Sequence, residues 1–388
     1  MIRRDSLCQP ASIHAMENRL RSQTTNCLVL LLGALGACRS EEGNAQGGNR
    51  SVPEKINAPA VAAPPPAGPS TQDPLTDEAK EAPSRIARRV TFGAMGTEVI
   101  FEAQGQDAAL LDAALAEARA EFDRVEDMMT SWRDSPLVRM NDGADGTPQK
   151  VPKELSDLVV RALTVARLSG GAFDPTYASV GKLWDFKAVP PVIPSPSDIA
   201  GALDKIGWSK IQVDQERSRI TMPKGTRLGL GGIAKGYGVD RAMDVLMQHG
   251  VEHGIVNAGG DLKALGTDMG EPWTIAIKHP RDRERAIAIV PVSNVCLVTS
   301  GDYERFFELD GERYHHIIDP RTGRPAKGCM SATVTAPDAA LADAVATAVC
   351  VLGPDIGLEF VERLPKIEAI VVDMEGRVKS SAGLSTLR

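Results

Sequence analysis

Leu228 to Asp240 reads LGLGGIAKGYGVD. Glycines crowd the entry to a segment whose apolar residues then recur at helical spacing, and Lys235 falls in the first turn of that helix. Glycine lets backbone N–H groups approach an anion, the helix start adds a partial positive charge, and the lysine adds a whole one. A phosphate or pyrophosphate is therefore one natural ligand. The string also satisfies GxGxxA, the phosphate-binding turn of a Rossmann fold, which would imply a parallel sheet and a nicotinamide cofactor. A tight strand-to-helix turn with a surface lysine is the third reading. No GK[ST] follows, which excludes a Walker loop. Against the Rossmann reading, the string stands late in the domain, without a regular run of βαβ units around it.

Working outward, apolar periodicity predicts helices over Ala108–Met129, with Asp107 as N-cap, and over Leu155–Leu168, Ala234–Gln248 and Asp338–Leu352. Extended segments are expected at Arg89–Thr91, Glu98–Ala103, Ile255–Asn257, Trp273–Lys278, Ala286–Val292, Val295–Thr299, Ser331–Ala336 and Ile367–Val372. Phe306–Leu309 and Arg313–Ile317 flank Asp310-Gly311, a hairpin signal. The expectation is an α+β (mixed α/β) domain over residues 85–388, its sheets flanked by helices, with strand order left open.

Ahead of that domain, Cys27 to Ala37 reads CLVLLLGALGA behind Arg19 and Arg21. The run is too short to span a bilayer comfortably and has the form of a signal-peptide core. Leu35-Gly36-Ala37-Cys38 resembles a bacterial lipobox, so residues 1–37 are expected to be cleaved and Cys38 lipidated, with Met16 as an alternative start. Residues 38–84 are rich in Pro, Ala and Gly and lack both periodicities of a core. They read as a disordered tether of roughly 35–40 Å end to end. The placement that follows is a membrane-anchored lipoprotein facing the periplasm from the inner membrane, with the outer membrane as the alternative.

The cysteines left in the domain, Cys296, Cys329 and Cys350, are odd in number and lack CxxC spacing. They suit neither a disulfide framework nor a zinc site and read as small buried residues. A net charge of −7, with no basic stripe interleaved with aromatics, argues against a nucleic-acid partner.

Further constellations accompany the glycine-rich string. Val256-Asn257-Ala258-Gly259-Gly260-Asp261 is a glycine turn that a hairpin or bulge explains equally well. In Tyr314-His315-His316-Ile317-Ile318-Asp319-Pro320-Arg321, neighbouring histidines on a strand point to opposite faces, which argues against a two-histidine metal centre. One imidazole facing a cleft is the functional reading, and a turn held by Asp319 and Arg321 is the plain one. Asp343 and Thr347 are four residues apart on a helix and share a face. A carboxylate and a hydroxyl suit Mg²⁺, which retains waters and bridges to phosphates, although the same pair also occurs as ordinary surface residues.

Taken in order, AMGT at 94–97, SWRDS at 131–135, GAFDPT at 171–176, GLGGIAKGYGVD, VNAGGDL, TSGDYERFF, YHHIIDPRTGRP and SATVTAP with ADAVAT resemble the ApbE family of FAD:protein FMN transferases. The resemblance spans about residues 92 to 353. It implies that Met95, Trp132, Ala172, Phe173, Asp174, Lys235 and Ile318 line a site for FAD. It also implies that Gly232, through its backbone oxygen, holds Mg²⁺ with Asp343 and Thr347, and that His316 helps deprotonate the acceptor hydroxyl. Two positions depart from the family pattern. Gly229 stands where an aspartate is usual, and Ala346 stands where some members carry a second carboxylate, which leaves only a backbone oxygen for the metal.

The implied reaction is Mg²⁺-dependent transfer of FMN from FAD to a Thr or Ser hydroxyl of an exported acceptor protein, with release of AMP. Water in place of that hydroxyl would make the chain an FAD pyrophosphatase. Loss of catalysis, for which Gly229 is the motive, would make it an FAD-binding protein.

Overall fold

The first helix begins on a carboxylate. Asp107 accepts hydrogen bonds from the N–H groups of Ala109 and Leu110 at 2.9 and 3.2 Å, and α1 runs from Ala108 to Met129. The computed structural model describes residues 85–385. The expected signal segment, Met16, Cys38 and the tether lie outside the described residues.

A single eight-stranded sheet organises the domain, its strands lying side by side in chain order. They are β1 (Ile86–Ala94), β2 (Thr97–Gly105), β3 (His253–Ala258), β4 (Asp261–Leu265), β5 (Val295–Gly301), β6 (Ser331–Ala336), β7 (Glu368–Val372) and β8 (Val378–Ser380). Every neighbouring pair is antiparallel. The expected α+β class is what the chain adopts. The Rossmann reading fails, because that fold needs parallel strands joined by crossover helices.

Period-two alternation gives the sheet two different faces. Val256, Cys296, Val298, Ala369 and Val371 belong to the main core beneath the helices. Leu262, Ala264 and Leu297 face the other way, against Trp273, Ile277, Val290 and Val292 of the ribbon formed by Trp273–His279 and Asp282–Val292. On β4 the same alternation turns Asp261 and Lys263 toward the helices.

The helices covering that face, besides α1, are α2 (Pro136–Asp142), α3 (Lys153–Leu168), α4 (Ala234–Gln248), α5 (Ala339–Leu352) and α6 (Pro354–Glu362). α1 stops at Met129, as the periodicity predicts, and α3 ends before the left-handed pair Gly170 and Gly171. The Gly259-Gly260 turn is a two-residue hairpin between β3 and β4, with φ of 61° and 100°. Cys296, Cys329 and Cys350 are buried, as expected of small core residues.

The glycines of Lys235-Gly236-Tyr237-Gly238 have a role that the anion reading did not assign. A Cβ on Gly236 would lie 2.2 Å from the Ala339 carbonyl oxygen, so α4 meets the start of α5 backbone to backbone. A Cβ on Gly238 would lie 2.9 Å from the Phe122 ring and 3.0 Å from the Met95 methyl, the corresponding contact with α1 and the β1–β2 turn. One turn further on, Asp240 accepts from the N–H groups of Ala339 and Ala340 at 3.1 and 3.0 Å and pairs with Lys263 at 2.9 Å. The last residue of the glycine-rich string is thus a cap for a different helix.

Gly236→Ala is expected to destabilise the fold by at least about 2 kcal/mol, because a backbone carbonyl cannot move aside as a side chain can. Urea unfolding checks this. A midpoint unchanged from wild type would show that the two helices do not depend on that approach.

Candidate active site

The start of α4 is not satisfied by its own side chain, since Ile233 offers none. The Gly236 N–H instead donates to Asp343 Oδ2 at 3.2 Å, so the positive end of α4 faces a carboxylate from α5. Asp343 is buried, and Thr347 follows one turn later on the same face of α5. A Cβ on Gly232 would lie 3.0 Å from Thr347 Oγ1 and 3.2 Å from the Phe173 ring, which places the paired glycines directly over that face. Ser300 Oγ lies 3.5 Å from Thr347 Oγ1.

Lys235 turns to the sheet and pairs with Asp261, which is fully buried. Neither oxygen of Asp261 has a properly aligned hydrogen-bond partner. Burial and then the neighbouring Asp343 raise the Asp261 carboxyl well above the usual carboxylate range, with Lys235 acting in opposition. For Lys235, burial alone would favour the neutral amine, but the charges of Asp261 and Asp343 outweigh it and hold the ammonium above its usual range.

Gly232, Lys235, Ser300, Asp343 and Thr347 line a cavity of about 730 Å³, a size usual for a small-molecule or cofactor site. Met95, Trp132, Ala172, Phe173, Asp174, Gly232, Lys235, His316, Ile318, Asp343 and Thr347 all line it. Ala346 does not. It is wholly buried and packs in the main core, because its position on α5 lies off the face shared by Asp343 and Thr347.

Each wall is held by recognisable local chemistry. Met95 and Gly96 form the β1–β2 turn, both with positive φ (49° and 73°), an uncommon conformation for methionine. The Met95 N–H donates to Glu126 Oε2 at 2.7 Å, and Arg305 donates to its carbonyl at 3.4 Å. Asp174 is committed to its own turn: it accepts from Thr176 N–H and Oγ1 at 2.8 and 2.6 Å and from Trp208 N–H at 3.0 Å. Trp132 sits at the rim, 58% exposed.

The neighbouring histidines separate, but not within one strand: the expected extended run to Ile317 stops at His315, and His316 lies in the bend that follows. His315 Nε2 donates to the Ala326 carbonyl at 2.7 Å, and the Ile317 N–H donates to its Nδ1 at 3.3 Å, so it is neutral and structural. His316 lines the cavity, and its buried Nδ1 has no hydrogen-bond partner. The plain reading of the segment also holds, because Asp319 grips Arg321 through Nε and Nη2, both at 2.8 Å. Sequence reasoning did not single out Glu126, Tyr177, Ser300 or Arg305 as cavity walls, nor Asp261 as the buried partner of Lys235 behind them. Asp261 and Arg305 lay inside strings already quoted, but nothing in a linear sequence shows which way they face.

Comparison with known proteins bears on what such a cavity holds. The sequence profile of the ApbE family matches residues 95–371. A Treponema pallidum (strain Nichols) protein named FAD:protein FMN transferase is 34% identical over 295 residues, covering 71% of this chain and 82% of its own length. A Klebsiella pneumoniae (strain 342) protein of the same name is 33% identical over 305 residues, covering 76% and 87%. Among solved structures, the ApbE protein from Thermotoga maritima superposes with a TM-score of 0.72 at 32% identity, over 78% of this chain and 99% of that one. The flavin transferase ApbE from Vibrio cholerae gives 0.70 at 29%, with coverage of 78% and 99%.

His316 also makes a prediction about acid stability. Burial, followed by the nearby charge of Arg305 and by His315, lowers its imidazole to about 3. An unfolded histidine takes up its proton near pH 6.5, so below that pH the unfolded chain binds more protons than the folded one. The contribution is intact above about pH 6.5 and drains away as pH falls toward 3. His316→Phe should therefore lose stability less steeply than wild type between pH 7 and 4 in thermal melts. Equal slopes would contradict the assignment.

Proposed function

The chain belongs to the ApbE family and is an FAD:protein FMN transferase, and we propose that it moves FMN onto a Thr or Ser hydroxyl of a target protein with Mg²⁺, releasing AMP. The observation that carries this reading is convergence. Gly232 with Lys235, His316, and Asp343 with Thr347 come from three separate segments of the chain and line one cavity.

The donor set fits Mg²⁺. Asp343 and Thr347 offer a carboxylate and a hydroxyl, and Gly232 lies against Thr347 with its backbone available. The buried carboxylate of Asp261, ion-paired with Lys235 but without an aligned hydrogen bond, adds negative charge behind the same corner. Among the described residues no group of three or more His, Cys, Asp or Glu side chains is placed to hold a metal, which suits an ion that retains waters and shares phosphate oxygens. Bound there, Mg²⁺ would withdraw charge from the pyrophosphate. Ala346, whose side chain is in the core, would join this set only through its backbone oxygen.

The chain's own residues supply the rest. Lys235 places a full positive charge beside Asp343, where a phosphate can draw it from Asp261. Phe173 and Trp132 provide apolar faces for an aromatic ring system. His316 is neutral at physiological pH and lines the cavity, where its imidazole can accept the proton of an incoming hydroxyl. That hydroxyl oxygen bonds to the FMN-side phosphorus as the bond to the AMP phosphate oxygen breaks in line, and AMP carries away the electron pair. Positioning and charge neutralisation govern a step of this kind.

The proposal includes export and anchoring, which rest on residues 19–38. Attachment is assigned to lipid on Cys38, on the lipobox-like Leu35-Gly36-Ala37-Cys38. The acceptor is accordingly an exported electron-transfer protein.

Incubation of the chain with FAD, Mg²⁺ and a candidate acceptor should add one FMN mass to the acceptor and release AMP in equal amount, as read by intact-mass spectrometry. Asp343→Ala should lower transfer by about a hundredfold or more while changing FAD affinity far less. AMP without adduct would instead identify an FAD pyrophosphatase. Bound FAD with neither product would identify a flavin carrier.

A further inference from the structure

Tyr177 ends the short helical turn Pro175–Tyr177, which the buried carboxylate of Asp174 holds in place. Its ring enters the cavity between two glycines. A Cβ on Gly229 would lie 2.9 Å from Tyr177 Cε1, and a Cβ on Gly181 would lie 3.1 Å from Cε2, on the other edge of the ring. The Gly229 backbone is itself tied to this turn, its N–H donating to the Pro175 carbonyl at 2.8 Å. The ring is thus clamped edge to edge, and only glycine at 229 leaves room for it.

The clamp aims the phenol at the chemistry. Tyr177 Oη lies 3.6 Å from where a Cβ on Gly231 would stand, beside the backbone that leads to Gly232 and Lys235. It is close enough to Arg305 and Asp343 for both charges to act on it. Among the described residues the hydroxyl has no hydrogen-bond partner, although it points into a polar corner. An oriented donor without an acceptor, on the wall of a site that Lys235 and Arg305 also line, is arranged for an anionic ligand.

We propose that Tyr177 contacts the substrate, its hydroxyl donating a hydrogen bond to a phosphate oxygen of the bound dinucleotide, and that Gly229 is the residue that admits it. The inference rests on the FAD reading above. It also gives the departure at 229 a physical meaning, because the phenol fills the space that a side chain there would need. Burial raises the phenol's pKa, which keeps the donated proton in place.

The test is a binding cycle on the full chain in EDTA, so that no turnover occurs, using FAD, ADP and riboflavin as probes. Tyr177→Phe removes an unpartnered hydroxyl and should leave the melting temperature unchanged. It should weaken FAD and ADP about tenfold, the size of one hydrogen bond to a charged group, while leaving riboflavin, which lacks phosphate, unaffected. Gly229→Ala pushes the ring aside and should cost a similar factor, and the double variant should lose no more than the weaker single variant. Unaltered FAD and ADP affinity in Tyr177→Phe overturns the proposal, as does an equal loss for riboflavin, which would make the ring a stacking surface only. Additive losses in the double variant overturn the role of Gly229. Failure of the wild-type chain to bind FAD would overturn the FAD reading and this inference with it, whereas wild-type binding with an unaffected Tyr177→Phe variant overturns this inference alone.

Discussion

The close approach of α4 and α5 at Gly236 is the constraint from which the rest of the site follows. Backbone contact with Ala339 leaves no room for a side chain, and it brings two helix starts together. Asp343 then reaches the open N–H of Gly236, and Asp240 reaches the first N–H groups of α5. Each helix start is therefore completed by a carboxylate from the other. The reciprocity fixes both the distance and the rotation between α4 and α5, and so decides that Lys235, Gly232, Asp343 and Thr347 line one space.

Charge within that space is finely opposed. Lys235 stands between two buried carboxylates, and one of them, Asp261, faces the helices only because β4 turns its odd-numbered residues that way. Burying a carboxylate with poorly aligned partners is costly, by about 1–3 kcal/mol or more for a polar group left unsatisfied. A fold retains such an arrangement where an incoming charge completes it, and a phosphate with its counter-cation is one ligand able to do so.

Much of this was legible in the sequence, for identifiable reasons. Long amphipathic helices such as α1 and α4 announce themselves through period and caps, and Asp107 and Asp338 act as N-caps of α1 and α5. β4 is only five residues long, and its polar–apolar alternation reads as Asp261 and Lys263 facing solvent, whereas both face the helices. The short helices α2 and α6, each with proline in its first turn, offer too few periods to detect. The site residues were legible through the order of motifs, not through any single motif. What the order could not convey was direction: that Gly236 and Gly238 serve helix packing, that Asp240 caps another helix, and that Ala346 faces the core. Tyr177 escaped notice for the same reason, since its significance lies in a neighbour distant in sequence.

The sheet's strands lie in chain order, yet one pairing spans a long excursion. Ile100 of β2 pairs with Asn257 of β3, 257 − 100 = 157 residues later, and α1 to α4 lie between them. The pairings from β3 to β8 close over shorter stretches of chain, so a folding chain meets its greatest loop-closure entropy at this seam. The cavity straddles it, with Met95 on the β1–β2 turn on one side and Gly259 on the β3–β4 turn on the other. A nucleotide bridging those walls would act as a brace across the last joint of the fold, and its binding energy would fall on the step where the chain has most freedom to lose.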